Sequence, residues 1–139
     1  MKKLNVMLAE DNPGDVFLVE EALREHGIAY QLFFAEDGEQ AAQMVNAAGA
    51  HLPCPDIVLL DLDLPKKDGA AVLELLRRES ACADAPVVVI TSSDSPTDRR
   101  RVADLGIAHY FLKPADLSDY FDLGGIVRRI VDSSNSPVS

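Results

Sequence analysis

Short apolar runs alternate along the chain with longer segments in which apolar residues recur every three or four positions. The runs at residues 4–9, 30–35, 56–60, 86–91 and 108–112 have the length and composition of buried strands. The segments at 15–26, 39–48, 69–79, 96–105 and about 116–132 have the periodicity of amphipathic helices. Strands that alternate with helices predict an α/β fold, in which a parallel sheet is covered by helices on both faces.

Turn and cap residues mark the boundaries of these elements. Asn12-Pro13 supplies a helix cap followed by proline at the first helical position, and Gly27 predicts the end of that helix. No linker, repeat or low-complexity tract interrupts the alternation. We therefore predict one domain over residues 1–132 and a flexible tail over residues 133–139.

Charge and cysteine content narrow the functional classes. The chain has 13 basic and 23 acidic residues and a formal charge of −10, which argues against nucleic-acid binding. Cys54 and Cys82 lie far apart, without a metal-binding spacing, and are predicted to be reduced thiols. No apolar run has the length of a membrane span or the form of a secretory signal, so a cytoplasmic protein is expected.

Polar groups follow four of the five predicted strands, at the edge of the sheet where α/β proteins bind ligands. They are Glu10-Asp11, Asp61, Thr91-Ser92 and Lys113-Pro114. Each of these motifs alone is typical of a helix cap, a turn or a hydroxyl group with a hydrogen-bond partner. Together, the three carboxylates offer the hard oxygen ligands that Mg²⁺ prefers, and a metal beside an ammonium group suits phosphoryl chemistry.

The order of these motifs resembles the receiver domain of two-component response regulators along nearly the whole chain. The spacing Asp61, Pro65, Gly69 (D-x-x-x-P-x-x-x-G) belongs to the same resemblance. It implies a doubly wound, five-stranded parallel sheet of the flavodoxin-like order 2-1-3-4-5, with five helices. It also implies a signalling protein rather than an enzyme, one that assists its own phosphorylation and slow dephosphorylation.

The resemblance also implies a role for each residue of the site. Asp61 would accept a phosphoryl group from a phosphohistidine on a sensor histidine kinase. Mg²⁺ would be held by Asp11, Asp61 and the backbone carbonyl of Asp63, with Glu10 acting through a bound water. Lys113 would bind carboxylate or phosphoryl oxygens, and Thr91 would hydrogen-bond the phosphoryl group after transfer.

A switch and a backbone feature follow from the same family. Movement of Thr91 toward the phosphoryl group would be coupled to Tyr110, an aromatic residue on the fifth strand. The surface formed by the fourth helix, fifth strand and fifth helix would then change, for signalling or for a phosphorelay. The Lys113-Pro114 bond is commonly cis in these proteins, so a cis-proline is expected at Pro114.

Partners are expected on the same basis. Glu-Asp-Asn-Pro-Gly-Asp at residues 10–15 and the loop at 51–55 resemble stand-alone regulators paired with phytochrome-type histidine kinases. A stand-alone receiver is expected, since no segment of the sequence has the features of an output domain. Surplus apolar residues in the last helix suggest a homodimer through the fourth and fifth helix region. No nucleic-acid or membrane partner is expected.

Two alternatives remain open from the residues alone. Asp61-Leu62-Asp63 after an apolar strand also resembles the start of haloacid-dehalogenase-type phosphatases, although Pro65 and the position of Glu10-Asp11 depart from their pattern. The second alternative is a receiver-like interaction module that is not phosphorylated.

Overall fold

The computed structural model describes residues 3–135 and has a five-stranded parallel sheet in the order β2-β1-β3-β4-β5. The elements are β1 (Leu4–Ala9), α1 (Pro13–Glu25), β2 (Tyr30–Ala35), α2 (Gly38–Ala47), β3 (Ile57–Asp61), α3 (Gly69–Glu79), β4 (Val87–Thr91), α4 (Pro96–Leu105), β5 (His109–Leu112) and α5 (Asp122–Asn135). A 3₁₀ turn, Leu117–Phe121, precedes α5. The predicted fold class and strand order are confirmed.

Alternation of side chains along each strand divides the apolar core into two layers. On β1, Met7 and Ala9 face the layer covered by α2, α3 and α4, whereas Val6 and Leu8 face the layer covered by α1 and α5. The side chains of β3 and β4 are buried throughout, because helices cover both faces of these central strands. Both layers pack against these strands up to their carboxyl ends, which positions the polar residues that follow them.

Side-chain caps set the start of the helices. The Asn12 side chain accepts hydrogen bonds from the backbone N–H groups of Gly14 and Asp15, with Pro13 in the first turn, so that predicted cap is confirmed. Asp68 caps α3 and Ser95 caps α4 in the same way. The helices that follow the strand ends therefore begin close to the carboxyl edge of the sheet.

The end of the chain departs from the predicted single helix. Asp116 caps the 3₁₀ turn rather than a long helix, and α5 begins at Asp122 and extends to Asn135. Three residues that were assigned to the tail are thus helical, and residues 136–139 lie outside the described residues. Tyr120, Val127 and Val131 are buried in this chain's own core, which accounts for much of the apolar surplus without a second copy.

Gly124 allows α5 to pack closely on α1. A Cβ atom at this position would lie 2.3 Å from the carbonyl oxygen of Ala22 and 2.3 Å from the His26 ring. The same ring forms a 2.9 Å hydrogen bond with the carbonyl oxygen of Phe121, and Arg128 donates a 2.6 Å hydrogen bond to the carbonyl oxygen of His26. Glycine is therefore required here by the close approach of α5 to α1.

The two cysteines form a disulfide bond, so the prediction of reduced thiols is wrong for this structure. Cys54 and Cys82 have Cα atoms 5.6 Å apart. Cys54 precedes β3 and Cys82 precedes β4, and these strands are neighbours in the sheet. Parallel pairing brings the two preceding loops together at the amino edge, opposite the carboxyl edge, although the cysteines are 28 residues apart in sequence.

The predicted cis-proline is also not found. Residues 3–135 contain no cis peptide bond, so the Lys113-Pro114 bond is trans. Lys113 is instead positioned by its own contacts: its backbone N–H donates a 2.7 Å hydrogen bond to the carbonyl oxygen of Thr91, and its ammonium group lies among carboxylates.

None of the helices within the described residues combines the length and apolar character needed to cross a lipid bilayer.

Candidate functional site: an acidic pocket at the carboxyl edge of the sheet

Three carboxylates meet where β1 and β3 end. Glu10 and Asp11 directly follow β1, and Asp61 is the last residue of β3, the strand paired with β1. One carboxylate oxygen from each residue lies within 4.8 Å of the other two. The structure therefore brings together the three residues that the sequence predicted as metal ligands, in a cluster of hard oxygen donors that fits Mg²⁺.

Burial makes these acids costly to ionise without a cation. Glu10 and Asp61 are almost fully buried, while Asp11 is exposed at the mouth of the pocket. Burial raises the pKa of Glu10 to about 8, an effect that the neighbouring Asp61 reinforces and Lys113 opposes. At neutral pH a large fraction of Glu10 is thus protonated when no metal is bound.

Lys113 is the cation of the pocket. Its Nζ atom lies 2.9 Å from Glu10, 2.8 Å from Asp15 and 3.1 Å from Asp61. Burial lowers the pKa of Lys113, but hydrogen bonds with Asp15 and Glu10 and the charge of Asp61 outweigh this effect and raise it above the ordinary value. Lys113 therefore stays charged and neutralises part of the acidic cluster.

Asp63 and Thr91 lie on the other side of Asp61. The backbone N–H of Asp63 donates a 2.9 Å hydrogen bond to Oδ1 of Asp61, so one oxygen of that carboxylate is held by backbone and the other by Lys113. The buried Thr91 hydroxyl lies 3.4 Å from the Asp63 carboxylate and accepts a 3.1 Å hydrogen bond from the Ser93 N–H. Thr91 is thus close to the pocket and in contact with the loop that leads to α4.

Tyr110 contacts the same loop. Its hydroxyl donates a 2.6 Å hydrogen bond to the carbonyl oxygen of Ser93, and the guanidinium of Arg99 lies 4.3 Å from the centre of its ring. Thr91, Ser93 and Tyr110 therefore form a connected path from the pocket to the surface of β5 and α4. Burial raises the pKa of Tyr110, so its hydroxyl keeps the proton that it donates.

The spacing of Asp61, Pro65 and Gly69 has a steric explanation. Gly69 begins α3 against the end of β3, where an added Cβ would lie 2.1 Å from the carbonyl oxygen of Asp61. The carbonyl oxygen of Pro65 accepts hydrogen bonds from the backbone N–H groups of Gly38 and Lys67. These bonds tie the loop between β3 and α3 to the start of α2. These contacts hold the loop after the predicted phosphoacceptor in one shape.

Asp15 is the member of the pocket that sequence reasoning missed. It lies in the first turn of α1, where an acidic residue is typical of a helix start. Its contact with Lys113 joins residues that are 98 positions apart, so no local pattern reports it. The one available signal was that α1 begins at the carboxyl edge of the sheet, where β5 also ends. This signal is weak, because β1 and β5 are distant in sequence and are not neighbours in the sheet.

Comparison with known proteins agrees with this geometry. The sequence profile described as response regulator receiver domain matches residues 6–123. Response regulator Rcp1 of Synechocystis sp. (strain ATCC 27184 / PCC 6803 / Kazusa) is 34% identical over 120 residues, covering 85% of this chain and 82% of Rcp1.

Solved structures give the same result. The crystal structure of the phosphorylated cyanobacterial phytochrome response regulator RcpA has a TM-score of 0.87 and 31% identity, covering 99% of this chain and all of that one (100%). The Mn²⁺-bound form of response regulator Rcp1 has a TM-score of 0.80 and 32% identity, with 98% and 97% of the two chains covered.

The fold, the pocket and these similarities define a receiver domain: the chain belongs to the response regulator receiver family. Its relatives include the phytochrome-associated regulators Rcp1 and RcpA, as the sequence resemblance predicted. The haloacid-dehalogenase-type phosphatase is set aside, because Glu10 and Asp11, which precede Asp61 in the chain, supply the acids of the pocket.

Proposed function

We propose that the protein is a two-component response regulator that accepts a phosphoryl group on Asp61 from a sensor histidine kinase. The observation that carries the proposal is the Asp61 carboxylate itself, which is buried yet lies at the open edge of the sheet among Glu10, Asp11 and Lys113. Its Oδ1 is held by the backbone of Asp63 and its Oδ2 by Lys113, so it is oriented for attack.

In the proposed transfer, a carboxylate oxygen of Asp61 forms a bond to phosphorus as the bond from phosphorus to the kinase imidazole nitrogen breaks. The electron pair of the broken bond stays on that nitrogen. Lys113 neutralises charge on the phosphoryl oxygens, which is the main requirement of phosphoryl transfer. Slow loss of the phosphoryl group to water would return Asp61 to its carboxylate.

We assign Mg²⁺ to the oxygen cluster. Asp11 and Asp61 would bind it directly, Glu10 through a water molecule, and Asp63 through its backbone carbonyl. When bound, the ion would supply positive charge that offsets the negative charge of the Asp61 carboxylate and of the phosphoryl oxygens. A receiver domain of PA1611 from Pseudomonas aeruginosa, 25% identical to this chain, has a magnesium ion coordinated in its active-site cleft, which supports the assignment.

A kinase partner is supported by the apolar surface beside the pocket. Phe17 on α1 is 60% exposed and Leu117 in the 3₁₀ turn is 61% exposed, and α1 packs against this turn. We propose that this pair contacts the kinase and that the kinase is of the phytochrome type, as the names of RcpA and its relatives suggest. A cytoplasmic location accompanies this proposal.

The response to phosphorylation is proposed to run from Thr91 to Tyr110. A phosphoryl group on Asp61 would draw the Thr91 hydroxyl away from Asp63, to which it makes only a 3.4 Å contact. That movement would disturb the Ser93 loop, which holds the hydroxyl of Tyr110. The surface of α4, β5 and α5 would change as a result and signal to a target or a further relay protein.

The same surface is proposed to form a homodimer. Leu112 is the last residue of the edge strand β5 and is 40% exposed. Equilibrium sedimentation at tens of micromolar protein is expected to show a larger dimer fraction with beryllofluoride, which mimics a phosphoryl group, than without it. Leu112→Ser should reduce that fraction, while Leu117→Ser, which removes a more exposed leucine off this surface, should not. A monomer under both conditions contradicts the dimer.

Phosphorylation itself is tested with a small-molecule donor. Incubation with acetyl phosphate and Mg²⁺ is expected to add the mass of one phosphoryl group to the wild-type protein and none to Asp61→Asn. Addition of a chelator before the donor should prevent the reaction. Asp63→Asn is the matched control, because it removes a carboxylate from the same loop while Asp61 remains.

Three outcomes separate the possible functions. A mass gain that disappears only in Asp61→Asn supports the regulator. No mass gain in the wild type, despite intact folding, would instead favour a receiver-like interaction module that is not phosphorylated. Multiple turnover of phosphate esters would contradict the proposal in favour of a phosphatase.

A further inference from the structure

The proposed role of Lys113 requires one of its present contacts to give way. An ammonium group has three N–H donors, and the Lys113 Nζ atom has three carboxylate neighbours, Glu10, Asp15 and Asp61. Phosphoryl oxygens on Asp61 would need a donor from the same nitrogen. The identity of the carboxylate that releases Lys113 therefore decides how easily the pocket accepts the phosphoryl group.

Asp15 differs from the other two neighbours in exposure. Its side chain is 18% exposed, compared with 2% for Glu10 and 4% for Asp61. A carboxylate that water reaches loses less when an ion pair opens than one that is buried. Asp15 is thus the contact that can be released at the lowest cost in free energy.

Asp15 also lies outside the metal cluster. The three residues whose oxygens lie within 4.8 Å of one another are Glu10, Asp11 and Asp61. The backbone of Asp15 is held in the first turn of α1, where its N–H donates a 3.3 Å hydrogen bond to the Asn12 side chain. Its 2.8 Å contact is nevertheless the shortest of the three that Lys113 makes.

We propose that Asp15 is a positioning residue for phosphoryl transfer, which holds the Lys113 ammonium beside Asp61 before transfer and competes with the phosphoryl group for it afterwards. This role rests on the proposed phosphorylation of Asp61. Before transfer, Asp15 gives Lys113 a third contact, in addition to those with Glu10 and Asp61, and so holds the ammonium group at the edge of the pocket. After transfer, its negative charge opposes the phosphoryl oxygens and weakens their hold on Lys113.

Removal of this charge should therefore strengthen binding of a phosphoryl mimic. Asp15→Asn is expected to bind beryllofluoride about tenfold more tightly in the presence of Mg²⁺, because one nearby negative charge and one competitor for Lys113 are lost. Asp15→Glu, whose carboxylate still reaches toward Lys113, should remain close to wild type. Glu21→Gln removes one charge from the same helix, where Glu21 contacts Arg24, and should leave the affinity unchanged.

A second readout reports the contact directly. The ¹⁵N signal of the Lys113 ammonium is expected to be sharp in the unphosphorylated wild type, since its contacts with Glu10, Asp15 and Asp61 hold it, and to broaden by faster proton exchange in Asp15→Asn. Asp15→Glu should preserve the sharp signal. A role of Asp15 limited to the start of α1 would not affect this signal, because the Asn12 cap remains in each variant.

The outcomes separate this role from the proposed function. If the wild type binds beryllofluoride and Asp15→Asn matches it in affinity and in the Lys113 signal, Asp15 has no positioning role while Asp61 remains the acceptor. If the wild type does not bind the mimic, the proposed function fails and this role fails with it. Should Asp15→Asn not fold, equal affinity and an equal Lys113 signal in Asp15→Ser would overturn the proposal.

Discussion

The affinity of the protein for Mg²⁺ is expected to rise roughly 50-fold between pH 6 and pH 8, because Glu10 must lose a proton before its carboxylate can help to bind the cation. Burial raises the pKa of Glu10 to about 8 in the metal-free protein, with a further contribution from Asp61. The ionised fraction of Glu10 therefore grows throughout this range, and above pH 8 the affinity should level off.

The stability of the metal-free protein should decrease over the pH range in which the affinity for Mg²⁺ increases. Because the pKa of Glu10 is higher in the folded state than its ordinary value of 4.5, the folded chain binds more protons than the unfolded chain between these values. The free energy of unfolding is thus expected to fall as the pH rises from 4.5 to about 8. Saturating Mg²⁺ should remove most of this loss, since a bound cation favours ionised Glu10.

Calorimetric titration with Mg²⁺ at pH 6, 7 and 8 measures the effect. Repeating the pH 7 titration in buffers of different ionisation enthalpy should reveal close to one proton released per ion bound. Glu10→Gln is the control, since a neutral amide has no proton to lose and its affinity should vary little with pH. Equal wild-type affinities at pH 6 and pH 8, without proton release, would contradict the role assigned to Glu10.

The sheet and most of the pocket could be predicted from the sequence because their signals are local. Each strand is a short apolar run bounded by turn residues, and parallel strands in this fold must present their ends at one edge. Glu10, Asp11 and Asp61 follow such runs directly, and the structure places their oxygens together. β5 is parallel to these strands and ends at the same edge, where Lys113 lies 3.1 Å from Asp61.

The contacts that were missed depend on tertiary structure. Asp15 has the local signature of a helix start, and only the packed chain shows that Lys113 reaches it. The Cys54–Cys82 disulfide could have been anticipated from the predicted strand order, because the cysteines precede neighbouring strands by a few residues each. The cis bond expected at Pro114 was carried over from the family, and this chain positions Lys113 without it.

Arg77→Met is expected to lower the free energy of unfolding by about 3 kcal/mol, since it removes four hydrogen bonds from a charged donor. The guanidinium of Arg77, near the end of α3, donates to the carbonyl oxygens of Ala83 and Ala85 at 2.7 Å each, of Gly106 at 2.7 Å and of Leu105 at 3.2 Å. These carbonyls belong to the loop before β4 and to the end of α4. One side chain therefore ties three segments together.

Urea unfolding of Arg77→Met and Arg78→Met measures this contribution. Arg78, the adjacent residue, is largely exposed and contacts only Glu74 among the ion pairs of the described residues, so its loss should cost less than about 0.5 kcal/mol. Arg77→Lys should recover less than half of the loss, because an ammonium group lacks the planar fork that reaches several carbonyls.

The position of Arg77 also predicts which segments lose protection in Arg77→Met. Its partners fix the end of α4 and the turn into β5, whereas the Asp61 pocket lies at the opposite, carboxyl edge. Hydrogen exchange in Arg77→Met should thus accelerate in α4 and at the start of β5, while phosphorylation of Asp61 by acetyl phosphate persists. A variant as stable as Arg78→Met, with unchanged exchange in α4, would show that water replaces these hydrogen bonds without cost and that α4 is held by Val102 and its apolar neighbours instead.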